Sequence, residues 1–173
     1  GKLTTNYDPL GRKTIFEDLP KNLPRVITVG RLDFNSEGLL LLTNSGILAR
    51  YLELPENSLA RKYLVKIKGN INIQKLKNLE KGITIKGIKY KSIKVSILKK
   101  NKDSARIEMR LMEGKNREIR KIINFLGWKI NKLQRISYGP IQLNKLKKDE
   151  VEEINIKKYF KKIPWELFQE NLE

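Results

Sequence analysis

The sequence predicts an α+β domain built on a mixed, mostly antiparallel sheet with flanking helices. Several segments alternate apolar and polar residues, which is the pattern of half-buried strands. Helical periodicity is confined to a few short segments, too few for regular βαβ alternation. The length of 173 residues, 39% of them hydrophobic, provides for one sizeable domain or two tightly joined halves, but not for several independent domains.

The first half predicts two buried strands that flank a polar loop. Residues 1–24 are rich in turn formers and predict an irregular opening segment. Residues 26–29 and 39–43 are short apolar runs typical of buried strands, and residues 30–38 form the loop between them. Asn44 or Ser45 can cap a helix that continues to about Glu53.

The second half predicts further strands and two helices. Tyr63, Val65 and Ile67 share one face of a strand over 61–68, and further strands are expected at 83–86, 92–99, 105–112 and 129–138. One helix is expected over 72–81, with Gly82 ending it, and another over 116–126, with Asn116 as its cap and Gly127 at its end. We expect a catalytic domain over 1–157 and a C-terminal appendage over 158–173.

The composition favours a polyanionic partner. Lys and Arg number 37 against 19 Asp and Glu, a net charge of +18. Such an excess favours nucleic acid, although a lysine bias can also reflect codon usage or solubility. Because the basic residues are 27 Lys and only 10 Arg, the planar fork of the retained arginines is expected to matter at 31, 61, 117, 120 and 135.

The residue inventory also limits the chemistry and the compartment. The chain has no Cys and no His, which excludes disulfides, thiolate nucleophiles, zinc fingers and an imidazole base. No apolar stretch approaches the roughly 18 residues of a membrane span, and no signal segment opens the chain. A soluble, cytoplasmic protein without membrane association is therefore expected.

Three residues are candidates for chemistry, each with a structural alternative. Asp33 lies in the loop between two buried strands, where catalytic residues are often held, but an Asp after Gly also commonly caps a turn. Arg120 falls beside the apolar stripe of its helix, so it either pairs with a buried carboxylate or belongs to a solvated cationic face. Tyr63 is either a core tyrosine or an aromatic platform for a displaced base.

Four segments together resemble the ribosomal pseudouridine synthases of the RsuA/RluB type. Residues 29–46, with Gly30-Arg31-Leu32-Asp33 at their centre, resemble the active-site segment of that family. Residues 61–65, 112–121 and 133–141 resemble its tyrosine-bearing strand, its basic helix start and its late strand, in the same order. The resemblance covers about residues 2–154, and the form of residues 116–120 is more similar to the large-subunit enzymes than to the small-subunit one.

The resemblance implies a pseudouridine synthase fold with a central RNA-binding cleft. It also implies a monomeric enzyme that acts on ribosomal RNA, expected to be 23S, without cofactor or metal. Asp33 would be the catalytic carboxylate, Tyr63 would stack on the target uracil, and Arg120 would pair with Asp33. The implied RNA-binding residues are Arg31, Arg61, Lys115, Asn116, Arg117, Lys121 and Arg135. Cleavage of a glycosidic bond through a cation-like sugar needs a nearby anion, and a guanidinium beside such a carboxylate keeps it ionised.

The chain departs from the family pattern at both ends, and there are two rival hypotheses. The tail after Lys157 has no counterpart in the family. The family begins its domain with a Lys-Pro-containing strand after a small S4-type RNA-binding module, whereas this chain opens partway through that segment, so a shortened form is expected. One rival is a non-catalytic RNA-binding or ribosome-assembly module on the same fold. The other is a metal-dependent nuclease that uses Asp33 and Glu37, four residues apart.

Overall fold

The computed structural model describes residues 13–160 together with residues 4, 10, 11 and 163. The predicted irregular opening lies partly outside the described residues, and most of the tail after Lys157 does as well. The described elements, in chain order, are β1 (Ile27–Val29), β2 (Glu37–Gly38), β3 (Leu41–Thr43), α1 (Gly46–Glu53), β4 (Arg61–Lys68), α2 (Ile73–Asn78), β5 (Ile83–Ile85), β6 (Ile88–Tyr90), β7 (Lys94–Lys100), β8 (Ser104–Leu111), α3 (Glu118–Phe125), β9 (Lys129–Tyr138), β10 (Ile141–Gln142) and α4 (Ile156–Tyr159).

A six-stranded sheet forms the centre of the described structure. Its order is β10-β9-β4-β8-β7, with β2 added alongside β9. The β2–β9 pair is parallel, and the other pairs in this sheet are antiparallel. The predicted α+β class with a mixed, mostly antiparallel sheet is therefore confirmed, and β4 and β9 have the predicted bounds.

One face of this sheet carries the larger core. Val65, Ile67, Ile107 and Leu133 point to this face and pack with the buried side of α3, and Tyr63 packs against the same cluster. Ile119, Ile122 and Ile123 are buried on α3, as their helical spacing predicts. The predicted common face of Tyr63, Val65 and Ile67 is thus confirmed.

A second core lies where α1 meets the two-stranded β1–β3 sheet. Val29, Leu41 and Leu52 are buried there together with Tyr138 from the end of β9. Phe160 and Ile163, from the segment after Lys157, are also buried in this cluster. The residue 30–36 loop contacts one helix from each core, through Glu53 of α1 and Arg120 of α3.

The structure differs from the predicted single strand at 39–43. Glu37–Gly38 first pairs with β9, and the chain then crosses over so that Leu41–Thr43 pairs with β1. Gly38 permits the crossing: its φ is +105°, and a Cβ there would lie 2.2 Å from the backbone oxygen of Arg135. Only a residue without a side chain allows this close approach of two strands.

Helix boundaries differ from the predictions in two places. The helix predicted over 72–81 ends at Asn78 and continues as a 3₁₀ turn over Leu79–Lys81, with Gly82 ending it at a φ of +77° as predicted. The prediction that Asn116 caps the next helix is wrong, because α3 begins at Glu118 and Arg117 occupies the cap position in a left-handed conformation, φ 51°. The short strand β6, which forms a hairpin with β5, was not predicted. None of the helices in the described part of the chain has the length and apolar character that a membrane crossing requires.

Candidate active site

Asp33 lies in the loop between β1 and β2, and both ends of that loop are anchored. At its start, the backbone N–H of Gly30 donates to the Glu53 carboxylate at the end of α1, at 2.7 Å. At its end, Leu39 N–H donates to the backbone oxygen of Arg135 (2.8 Å), and Nε of Arg135 donates to the Leu39 oxygen (2.7 Å). Within the loop, Ser36 N–H closes a turn on the Asp33 oxygen at 2.8 Å. A rigid scaffold therefore positions this carboxylate.

Two guanidinium groups approach the Asp33 carboxylate. Nη1 of Arg117 lies 3.5 Å and Nε of Arg120 lies 3.6 Å from Asp33 Oδ2. These distances are those of charge contacts rather than of short hydrogen bonds. Both contacts are made to Oδ2, and the Asp33 side chain keeps 30% of its surface exposed. The carboxylate is thus held by positive charge on one oxygen while remaining accessible.

Arg120 also fixes the loop itself. Its Nη2 donates to the backbone oxygen of Asn35 at 2.7 Å and to Oγ of Ser36 at 3.1 Å. The Arg120 side chain is 17% exposed, against 48% for Arg117. The apolar stripe of α3 sets the position of Arg120, because it anchors the helix to the sheet beside the loop. Arg120 therefore connects α3, the loop and Asp33.

β4 and β9 lie beside the loop that carries Asp33, and we call the surface that they form there the cleft floor. Tyr63 lies opposite Arg135 in these strands, and Gly38 of β2 lies opposite Arg135 on its other side. Burial lowers the pKa of the Arg135 guanidinium, while its hydrogen bond and charge interaction with Tyr63 act in the opposite direction. Arg135 is 2% exposed and lies inside the sheet rather than on a basic rim. It links the Tyr63 strand to the loop that carries Asp33.

Tyr138 and Arg61 extend this floor toward α1. The Arg61 guanidinium stacks on the Tyr138 ring at 4.6 Å and donates to its hydroxyl at 2.7 Å. That hydroxyl donates in turn to the backbone oxygen of Leu52 in α1 at 2.9 Å. The Arg135 guanidinium lies 5.2 Å from the same ring. Tyr138 was missed as a site residue in the sequence because its place in an alternating strand indicates only burial.

The other predicted RNA-binding residues divide into exposed and internally bonded side chains. Arg31, Asn116 and Lys121 are exposed. Nζ of Lys115 instead donates to Glu113 Oε2 at 2.8 Å and to the backbone oxygen of Lys89 at 2.6 Å. The start of α3 thus combines a structural cation with exposed ones.

Two buried carboxylates at the start of α3 were not anticipated. Burial opposes ionisation of Glu113, but hydrogen bonds from the Lys115 ammonium and the Lys91 backbone outweigh it and lower the Glu113 pKa. For Glu118, burial followed by repulsion from Glu113 raises the pKa to about 7. Glu118 Oε2 accepts from Lys115 N–H at 3.1 Å, which holds the turn before α3. A Glu in the first helical turn gives no sequence signal of burial, since such residues usually face solvent.

The geometry gives little support to a metal-dependent nuclease. Glu37 forms an ion pair with Lys132 at 2.8 Å on the sheet, whereas Asp33 contacts Arg117 and Arg120. No group of three or more metal-binding side chains of the acidic, His or Cys type occurs among the residues that the structure describes. The two carboxylates of that hypothesis therefore serve different contacts.

Comparison with known proteins agrees with the geometry. Residues 5–125 match the family model of RNA pseudouridylate synthases. A Rickettsia typhi protein named as an uncharacterized RNA pseudouridine synthase is 50% identical over 163 residues, covering 94% of this chain and 66% of that protein. The ribosomal large subunit pseudouridine synthase B of Vibrio cholerae is 37% identical, covering 84% of this chain and 46% of its own length. A crystal structure of a pseudouridylate synthase has a similar fold, with a TM-score of 0.81 at 23% identity, over 92% of this chain and 68% of that one.

The fold and the family match place this chain among the RNA-modifying isomerases. It belongs to the RNA pseudouridylate synthase family, as the catalytic domain of a member of the RsuA/RluB type. The chain spans about two thirds of the length of its rickettsial relative and less than half that of the Vibrio protein.

Proposed function

We propose that this chain converts uridine to pseudouridine in ribosomal RNA, that its substrate is the 23S RNA of the large subunit, and that Asp33 is the catalytic carboxylate. The observation that carries the proposal is the accessible Asp33 carboxylate with both guanidiniums on Oδ2. The large-subunit assignment is supported by the names of the relatives from Vibrio cholerae and Buchnera aphidicola, 37% and 40% identical. The catalytic domain would comprise residues 1–157, act as a monomer in the cytoplasm and contribute to ribosome biogenesis.

The reaction breaks the bond between N1 of uracil and C1′ of ribose and joins C1′ to C5 of the same base. The proton on C5 is released and N1 gains one, so that the product is an isomer of the substrate. An anion beside C1′ stabilises the cation-like sugar or bonds to it. The same carboxylate is chemically able to attack the sugar, to attack the base or to remove a proton. Because Arg117 and Arg120 contact Oδ2, Oδ1 of Asp33 is the oxygen assigned to the substrate.

Each neighbouring residue has a part in this proposal. Arg120 holds the loop and places its positive charge beside Oδ2 of Asp33. Tyr63, on the cleft floor beside Arg135, stacks on the displaced uracil, which must leave its helical stack before it can react. Arg31, Arg117 and Lys121 supply exposed charge for phosphates, and Asn116, Arg61 and Lys115 supply further hydrogen-bond donors to the RNA. Arg135 acts from beneath the floor by positioning the loop.

Release of tritium from RNA labelled at C5 of uridine tests the proposal. On unmodified 23S RNA the parent chain is expected to release tritium and Asp33→Asn is not, while the two bind RNA within a few-fold of each other. Glu37→Gln is the matched control, because it removes a carboxylate four residues away whose exposed ion pair with Lys132 contributes only about 0–1 kcal/mol. Equal release by Asp33→Asn and parent would refute the role of Asp33.

A non-catalytic RNA-binding module predicts a different pattern. In that case neither the parent nor Asp33→Asn modifies RNA, and both still bind it. The same assay on a chain extended to the length of its relatives then distinguishes an inactive module from a domain that needs further residues to recognise its substrate.

A further inference from the structure

The face of the central sheet opposite the cleft carries a row of aligned positive charges. Lys66 of β4 lies opposite Lys132 of β9 on one side and Arg106 of β8 on the other, and Arg106 lies opposite Lys99 of β7. All four side chains are exposed. We call Lys132, Lys66, Arg106 and Lys99 the back-face row. With neighbouring strands about 4.8 Å apart, the row extends over roughly 14 Å.

Two irregularities in the sheet produce this alignment. In β7 the register shifts between Ile97 and Lys99, so that Lys99 rather than Leu98 stands opposite Arg106. In β9 the register shifts on the other side of Lys132, where Ile67 of β4 pairs with Ile130 instead of Asn131. A bulge redirects a side chain and bends its strand, and such bulges occur often near functional sites. Both bulges lie next to the row.

The back-face row is electrostatically unfavourable in the free protein. Like charges directly opposite one another across strands destabilise a sheet. Lys132 is compensated by Glu37 at 2.8 Å, but Lys66, Arg106 and Lys99 have no ion pair with a carboxylate among the described residues. The nearby Glu108 pairs instead with Lys62, at 3.4 Å. A polyanion would relieve the repulsion within the row.

The row lines a groove whose composition suits phosphates. The groove has a volume of about 460 Å³, and its lining includes all four cations of the row. Asn101, Ser104 and Gln134 add hydrogen-bonding side chains, and no carboxylate belongs to the lining. Amide, hydroxyl and cationic side chains are the groups that contact the phosphate and sugar backbone of nucleic acids.

From these observations we infer that the back-face row is a second RNA-binding surface, which holds the phosphate backbone of an RNA segment outside the one placed in the cleft. The inference rests on the proposed function only in taking RNA as the polyanion. It assigns sequence-independent affinity to the back face and leaves recognition of the target uridine to the cleft. The bound segment lies on the opposite side of the sheet from Asp33, so the substrate must be long enough to reach both faces.

Salt-dependent binding of a 23S RNA transcript tests this inference without any turnover. The test variant is Lys66→Gln/Arg106→Gln/Lys99→Gln. Its matched control is Lys75→Gln/Lys77→Gln/Lys81→Gln, which removes the same charge from exposed positions on α2 and the turn after it. Each lost phosphate contact lowers the slope of log affinity against log salt by about 0.7 to 0.9, so the test variant, with three cations removed, should lose about 2 to 3 units of slope. The control is expected to keep the parental slope.

The outcomes separate this inference from the proposed function. A smaller slope for the test variant alone supports a back-face RNA site, whether or not Asp33 proves to be catalytic. Equal slopes for parent, test variant and control would overturn it and indicate a solvated face or an acidic protein partner. An equal loss of slope in test variant and control would also overturn it, since net charge would then be sufficient. The test variant should melt at or above the parental temperature because it relieves like-charge repulsion, so weaker binding will not reflect unfolding.

Discussion

The two faces of the central sheet use positive charge in different ways. On the cleft face, Arg61, Arg120 and Arg135 each bond to a defined backbone or side-chain oxygen and are partly or wholly buried. On the opposite face, the back-face row is exposed and consists of three lysines and one arginine that lie opposite one another. The basic residues behind the net charge of +18 therefore serve two functions: those of the cleft position the loop around Asp33, and those of the back face act through long-range electrostatics.

This difference between the two faces indicates how each will respond to a substitution. A guanidinium fork that bridges two acceptors fixes geometry, so its loss displaces the loop around Asp33. A solvated ammonium contributes mainly through its charge, so its loss changes affinity and salt dependence. The cleft should thus respond to the shape of a substitution and the back face to its charge.

The largest expected effect comes from Gly38, where the cleft loop crosses the sheet. In Gly38→Ala the new Cβ would lie 2.2 Å from the Arg135 oxygen, at a φ of +105° that L residues rarely adopt. Backbone strain and overpacking together should lower the free energy of unfolding by about 3 kcal/mol or more, measured by urea denaturation.

Gly46→Ala is the matched control for Gly38. Gly46 is the first residue of α1, and nothing lies within 4 Å of a Cβ built there. Alanine should therefore be neutral or raise stability by up to about 1 kcal/mol. Equal stability of Gly38→Ala and Gly46→Ala would show that the β2–β9 contact does not constrain the loop.

The next largest effect is expected from Arg120→Lys, which keeps the charge but removes the fork. A lysine cannot hold Asn35, Ser36 and Asp33 at once, as Arg120 does. As a positioning residue, Arg120 should affect kcat, with a loss on the order of 100-fold, while KM for RNA stays within a few-fold. Arg50→Lys, the same substitution at an exposed position on α1, should leave kcat unchanged. An intact kcat in Arg120→Lys would mean that charge alone is enough.

Much of this cleft could be predicted from particular residues, and the reasons for the misses are physical. The alternation around Tyr63 and the apolar spacing of α3 placed these elements correctly, because burial follows local periodicity. The division of residues 37–43 between two sheets could not be predicted, since it depends on the contact of Gly38 with Arg135, which is distant in sequence. The same limitation concealed the burial of Arg135 and the strand bulges that align the back-face row.

The smallest of these effects concerns Glu118, whose buried charge contrasts with the solvated charges of the back face. Its pKa of about 7 lies above the ordinary value of 4.5, so the folded chain keeps this proton at pH values where the unfolded chain has lost it. The stability contribution of the carboxyl is therefore complete below about pH 4.5, falls as the pH rises toward 7 and stays low above it.

Glu118→Gln resembles the neutral form and can still accept from Lys115 N–H. Between pH 5 and pH 8 the parent should lose about 2 kcal/mol more stability than Glu118→Gln, as followed by urea denaturation at each pH. Glu80→Gln, at an exposed position on the turn after α2, should follow the parent. If the stability of Glu118→Gln changes with pH as that of the parent does, the Glu118 carboxylate is hydrated in solution. The charged groups at the start of α3 would then be as open to solvent as those of the back face.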